Sequence, residues 1–198
     1  LGTGISLTPI YDELARRHYE CGLSFRNVIV FNAYEYYPLT PDAAHSSITQ
    51  LHERLLSRVN INPNNVFTPD GTIAQDKVHA YCRQYEQRIK GMGGIDIMLL
   101  GIGRLGNIAT NEPGSALSST SRIILLDHTS REEMTVSFGS ETPVPPCSIT
   151  MGIQTILQAR KIFLTAWGES KADIICRAIE GQMTDALPAS FLQSHQNV

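Results

Sequence analysis

Four short runs of near-continuous apolar residues, separated by stretches with helical periodicity, constrain this chain more than any other feature. They are NVIVF from Asn27, IDIMLL from Ile95, RIILL from Arg122 and KIFLTAW from Lys161. Strands that are apolar on both sides belong to a sheet covered on both faces, and the intervening helices supply the cover. Thr8-Pro9 opens one helix through IYDELARRHYE, with a capping residue followed by a proline suited to the first helical position. Helical periodicity returns over 47–59 and over 73–90, where Val78, Tyr81, Cys82, Tyr85 and Ile89 share a face; it returns again near 150–158 and from Ser170. The expected fold class is α/β, a three-layer sandwich with a mostly parallel sheet.

No internal repeat, low-complexity tract or Gly/Ser/Pro-rich linker divides the chain, so a single domain over 1–198 is expected. Leu1 begins inside what reads as a strand-to-helix turn, and SFLQSHQNV ends without a closing strand. That domain is accordingly expected to lack its first and last strands, with room for a fused domain outside the segment. A net charge of -3 and singly scattered Lys and Arg offer no basic field for nucleic acid. No apolar run approaches the roughly 18 residues of a membrane span, and no signal peptide opens the chain, so a cytoplasmic protein with no membrane partner is expected. The four cysteines lie far apart and the six histidines are dispersed, a pattern of reduced thiols with no metal site.

The most specific string is LLGIGRLGNIATNEPGSAL, residues 99–117. Gly101, Gly103 and Gly106 have the G-x-G-x-x-G spacing of a dinucleotide fingerprint, and Asp127 follows Gly106 by 21 positions, near where a ribose-binding acid belongs. The fingerprint also needs a helix whose N-terminus holds the pyrophosphate. NIATNEPGSALSST, with Pro113, Gly114 and several Asn, Ser and Thr residues, is a poor helix throughout. Gly101 and Gly103 are therefore expected to shape a loop at the carboxyl end of a parallel strand, where open α/β sheets hold ligands.

Two further strand ends carry chemistry suited to a phosphate. In GTGISLTP, Ser6 and Thr8 bring hydroxyls to a helix start, where backbone N–H groups also point outward. In TAWGESKADII, Lys171 sits at a helix start, where a cation opposes the macrodipole and an anionic partner would compensate. Each feature alone is compatible with plain capping; together they point to a monophosphate. Glu112, fixed by Pro113 just after the glycine loop, is either a general acid or base or a turn-stabilising carboxylate.

Over nearly its whole length the sequence resembles the glucosamine-6-phosphate deaminase family, whose relatives include 6-phosphogluconolactonases. The matching strings are LTP at Leu7, FNAYEYYPL at Phe31, CRQYEQRI at Cys82, GIGRLGNIATNEPGSAL at Gly101, SITMGIQTIL at Ser148 and GESKA at Gly168. The resemblance implies a modified Rossmann-like sheet, a sugar-phosphate substrate, no cofactor and the phosphate on Ser6, Thr8 and Lys171. It also implies a sugar lying against Gly101 and Gly103, and chemistry by ring opening, proton abstraction at C2, isomerisation and loss of ammonia to give fructose 6-phosphate.

Family members typically read F-N-x-D-E-Y, with the aspartate as the base at C2, whereas this chain places Tyr34 there. Glu35, its neighbour on an extended strand, points to the opposite face. The Asp and His that assist ring opening in the family loop correspond here to Leu105 and Asn107, and the family's active-site arginine aligns nearest Val136, with Arg131 close by. Glu112 is retained. The expected activity is thus a deaminase or isomerase of phosphorylated amino sugars with altered acid-base groups, relying on Glu112 and Tyr34, with Asn107 beside the substrate. The alternative is a sugar-phosphate-binding or regulatory domain without catalysis. A homo-oligomer is compatible with either. Tyr36, Tyr37 and Trp167 are expected in the core or a pocket wall.

Overall fold

Hydroxyl-bearing and aromatic strands, which hydropathy patterning does not reveal, turn out to build a second sheet beside the expected parallel one. The computed structural model describes residues 1–138 and 143–198, with the side chains of 136 and 137 also outside the described set. Chain order among these residues is α1 (Thr8–Cys21), β1 (Val30–Phe31), β2 (Tyr34–Tyr37), α2 (Ser47–Arg54), β3 (Val66–Phe67), α3 (Val78–Gly91), β4 (Ile97–Gly101), β5 (Arg122–Leu125), α4 (His128–Phe138), β6 (Cys147–Thr150), α5 (Ile153–Leu157), β7 (Lys161–Thr165) and α6 (Ala172–Glu180).

β1 pairs in parallel with β3, and β4 pairs in parallel with β7 from Ile97↔Lys161 to Gly101↔Thr165. Residues 1–2 join the two ladders. The Leu1 amine donates to Phe31 O (2.6 Å), Ala33 N–H donates to Leu1 O (2.7 Å), and Gly2 N–H donates to Leu99 O (3.0 Å). Along β4 the side chains alternate as a pleated strand requires. Leu99 enters a cluster with Leu7, Tyr11, Leu51, Leu55 and Leu56 under α1 and α2. Met98 and Leu100 enter the larger cluster on the other face with Tyr85 and Ile89 of α3, Ile153 and Ile156 of α5, and Ile174 of α6. This is the expected three-layer α/β arrangement.

The second sheet is antiparallel, in the order β2-β6-β5. The run at Arg122 is thus a strand, but not a member of the parallel sheet as its apolar composition suggested. The extended stretch expected at Tyr34 and Glu35 is β2, whereas β6 has no hydropathy signature. β6 reads CSIT because Ser148 and Thr150 are buried and hydrogen-bonded: Ser148 Oγ donates to Glu35 O (2.9 Å), Thr110 Oγ1 to Ser148 Oγ (2.8 Å), and Thr150 Oγ1 accepts from Thr110 N–H (3.4 Å). α4 was also unforeseen, since HTSREEMTVSF carries no apolar stripe. The strand at NVIVF is shorter than its sequence suggested, with Val28 and Ile29 left exposed ahead of β1.

Glu35 fastens β2 to the start of α2. Its Oε1 accepts from Tyr36 N–H (2.8 Å) and Ser47 N–H (2.9 Å), and its Oε2 accepts from Ser46 Oγ (2.9 Å) and Ile48 N–H (3.2 Å). The carboxylate thereby satisfies first-turn donors that a helix cannot pair internally. Among the described residues, no helix is long and apolar enough to cross a membrane, and Cys21, Cys82, Cys147 and Cys176 are free thiols.

Glu35→Ala strands those four donors in a buried setting, and hydrogen bonds to a charged group contribute about 1.5–3 kcal/mol. Urea unfolding is expected to show a loss of about 2–4 kcal/mol. A loss under about 1 kcal/mol would contradict this anchoring role.

Candidate functional site

Gly101 ends β4 without a side chain, and a Cβ built there would lie 2.5 Å from Ser6 Oγ. Ser6 belongs to a single 3-10 turn, Ile5–Leu7, that runs directly into α1. Its hydroxyl is 3.3 Å from Thr165 Oγ1 at the end of β7, and its carbonyl accepts the indole N–H of Trp167 (2.7 Å). The start of α1 is thus set onto the carboxyl ends of β4 and β7. Thr8, the first residue of α1, donates its backbone N–H to Ile5 O.

Beyond Trp167, Gly168 (φ +84°) turns the chain into a second 3-10 turn, Glu169–Lys171, which leads into α6. The Lys171 ammonium donates to Glu133 Oε1 of α4 (3.2 Å), and Glu133 Oε2 accepts from the N–H of Arg104 in the glycine loop (3.3 Å). Ser6 and Lys171 therefore flank one edge of the sheet, with the glycine loop alongside. Trp167 is 60% exposed at that edge. It lies neither in the core nor in a pocket wall, because its indole N–H is fixed to the Ser6 turn and its ring is left facing solvent.

Within the loop, Gly103 N–H donates to Asn107 O (3.0 Å), and a Cβ at Gly103 would fall 1.9 Å from Asn107 Oδ1. Gly103 must therefore be glycine for Asn107 to fold back onto it. Asn107 Oδ1 is buried and has no hydrogen-bond partner among the described residues. Ala109 follows at φ +50°, a conformation that costs a non-glycine residue roughly 1–2 kcal/mol. The loop holds this conformation through Asn111, whose Nδ2 donates to Ile108 O (3.0 Å) and Met151 O (2.8 Å), while its Oδ1 accepts from Arg122 (2.8 Å). Among the described residues, no helix lies between β4 and β5, and β5 runs antiparallel to its neighbour, so the βαβ unit of a dinucleotide site is not formed. Asp127 instead accepts Thr129 N–H (2.8 Å) at the start of α4.

Glu112 is buried, with 4% of its surface exposed. Ser130 Oγ of α4 donates to its Oε2 (2.8 Å), whereas Oε1 has no partner among the described residues. Burial raises its pKa; the Ser130 hydroxyl and the Asp127 backbone N–H oppose that shift, and the neighbouring charges of Asp127 and Glu133 add to it. The carboxyl thus has one oxygen held by Ser130 and one with no side-chain partner among the described residues, in surroundings that favour the protonated form.

Tyr34 begins β2, with its hydroxyl 2.8 Å from Thr3 Oγ1. Burial raises the phenol's pKa above its ordinary value, so at neutral pH it is a neutral hydrogen-bonding group and not a base. Among the described residues, no hydrogen bond joins Tyr34 to Glu112. Arg131 donates from Nη2 to Val144 O (3.2 Å), and its buried Nε has no partner among the described residues. The side chain of Val136 lies outside the described residues. Residues missed in the sequence are Thr165 and Glu133. The first could have been found as the hydroxyl closing a parallel strand; the second sits in a helix without a hydropathy signature.

Among the described residues, no group of His, Cys, Asp and Glu is arranged to hold a metal ion. Two apolar grooves flank the sheet. One of about 740 Å³ runs between β7, α6 and the 192–198 segment and reaches the site only at Gly168 and Lys171. The other, of about 470 Å³, is lined by residues such as Leu14, Phe25, Val30 and Leu99. Neither contains Ser6, Asn107 or Glu112.

A family model described as glucosamine-6-phosphate isomerases/6-phosphogluconolactonase matches residues 2–198. A glucosamine-6-phosphate deaminase-like protein of Bacteroides thetaiotaomicron is 59% identical over 194 residues, which span 98% of this chain and 29% of that much longer relative. A glucosamine-6-phosphate deaminase of a Geobacillus species is 40% identical over 198 residues, 100% of this chain and 78% of its own length. The solved structure of a monomeric glucosamine-6-phosphate deaminase superposes with a TM-score of 0.96 at 37% identity, covering 100% of this chain and 81% of that one.

The raised pKa of Glu112 means that the folded chain holds this proton more tightly than the unfolded chain does. The group therefore stabilises the fold at low pH and ceases to do so as pH climbs through its folded-state pKa, above the ordinary carboxylate range. Glu112→Gln, neutral at every pH, is expected to match the wild type in urea unfolding near pH 4 and to exceed it near pH 8. A variant that loses stability on going from pH 4 to pH 8, relative to wild type, would contradict this.

Proposed function

Because the chain belongs to the glucosamine-6-phosphate isomerase/6-phosphogluconolactonase family, we propose that it takes a phosphorylated amino sugar. The proposed reaction is aldose-ketose isomerisation with release of ammonia, converting glucosamine 6-phosphate and water to fructose 6-phosphate and ammonia. The reading rests above all on the junction where Ser6 meets Thr165 and Trp167, with Lys171 four residues further on. The phosphate is held by the Lys171 ammonium, the Ser6 hydroxyl and the N–H groups of Ile5 and Ser6 that open the 3-10 turn, donors of the kind that bind monophosphates at helix starts. The sugar ring then lies over Gly101 and Gly103, with the Asn107 side chain available to a sugar hydroxyl.

Glu112 supplies the proton. With Oε1 protonated, it donates to the ring oxygen as the C1–O5 bond breaks and the C1 hydroxyl passes its proton to water, forming the C1 aldehyde; the Ser130 hydroxyl steadies the carboxylate that remains. Tyr34, a neutral phenol, contributes a hydrogen bond and does not take the C2 proton. The isomerisation step therefore lacks a carboxylate base at this position. General acid-base groups each contribute about 10²- to 10⁴-fold, so turnover is expected to be slow by a factor of that size. The same observation favours a second reading, binding of the sugar phosphate without turnover.

Ammonia and fructose 6-phosphate release, measured alongside thermal stabilisation by glucosamine 6-phosphate, separates the two. Slow turnover that falls by about 10²-fold in Glu112→Gln, with Lys171→Ala raising KM at least tenfold and changing kcat little, is the expected result. Stabilisation without any ammonia would establish the binding reading instead. Neither turnover nor stabilisation would refute both.

A further inference from the structure

We propose that Glu133 is an intramolecular anion that occupies the phosphate-binding groups of the unliganded chain, so that a ligand's phosphate must displace it. This inference rests on the phosphate site described above. One carboxylate bridges two donors of the type a phosphate uses: Oε1 takes the Lys171 ammonium at 3.2 Å and Oε2 takes the Arg104 backbone N–H at 3.3 Å. The pair is partly shielded, with side chains 22% and 32% exposed, so the contact is neither a solvent-facing ion pair nor a core one. It is also the one ion pair of Lys171 among the described residues.

The tie is built into α4. Glu133 lies three residues after Ser130, so both project from one side of the helix. α4 therefore holds the proposed phosphate ligand through Glu133 and the proposed proton donor through Ser130. A phosphate arriving at Lys171 cannot share that edge with a carboxylate at contact distance, because like charges there repel. It carries enough oxygens to replace both bonds that Glu133 gives up. Glu133 thus sets affinity by competition, in the sense opposite to a residue that orients Lys171 for its ligand.

Calorimetric titration of inorganic phosphate and of glucosamine 6-phosphate into wild type, Glu133→Gln, Lys171→Ala and the double variant tests this. Glu133→Ala serves as a second removal of the charge, and circular dichroism checks that each variant folds. Glu133→Gln and Glu133→Ala are expected to bind both ligands about tenfold more tightly than wild type, because a competing ion pair and a like charge are both removed. Most of that gain should vanish when Lys171→Ala is also present. Unchanged or weaker binding by both Glu133 variants, in a wild type whose binding depends on Lys171, overturns the inference and leaves the phosphate site standing. Wild-type binding that ignores Lys171, or no binding at all, overturns the phosphate site and the inference with it.

Discussion

The contact of the Ser6 hydroxyl with the bare backbone of Gly101 is the constraint on which the remainder of the site depends. A side chain at 101 would turn the Ser6 hydroxyl out of its place, since the space a Cβ needs lies 2.5 Å from Ser6 Oγ. With that space empty, Thr165 and Trp167 at the end of β7 reach Ser6 from the other side. Two parallel strands and one helix start are thereby brought to a single edge. This is the edge of an open α/β sheet where backbone N–H groups, hydroxyls and a helix dipole act together on a bound anion.

Charge at that edge is arranged unevenly. Asp127 and Glu133 supply negative charge, and burial together with that charge keeps the Glu112 carboxyl inclined to hold its proton. Lys171, beside them, is already engaged by Glu133. In the proposed reading the site donates a proton and receives an anion, while Tyr34 is a phenol whose pKa burial has raised. In that reading phosphate recognition and proton transfer rest on different residues, so one can persist while the other weakens.

The parallel core was legible because its strands, such as Ile97–Gly101 and Lys161–Thr165, are apolar on both faces and the helices between them carry an apolar stripe. The antiparallel sheet was not, since β6 buries Ser148 and Thr150 and satisfies them with Thr110 and Glu35, leaving no hydropathy signal. In the site, Ser6, Gly101, Gly103 and Lys171 could be read as strand-end and helix-start chemistry. The burial of Asn107 and the free oxygen of Glu112 depend on how 107–115 folds back through Asn111, a tertiary matter that spacing alone does not encode. Trp167 was misjudged because an aromatic residue after a strand is usually covered; here its N–H, held by Ser6, fixes it at the surface. Glu133 escaped notice because its role arises only once α4 is folded against the glycine loop.

A crystal structure of the chain soaked with glucosamine 6-phosphate tests the central claim most directly. The account predicts phosphate oxygens within hydrogen-bonding distance of Ser6 Oγ and Lys171 Nζ, with Glu133 turned away and the sugar over Gly101 and Gly103. Density for the phosphate away from the ends of β4 and β7, with the Lys171–Glu133 pair intact, would contradict it.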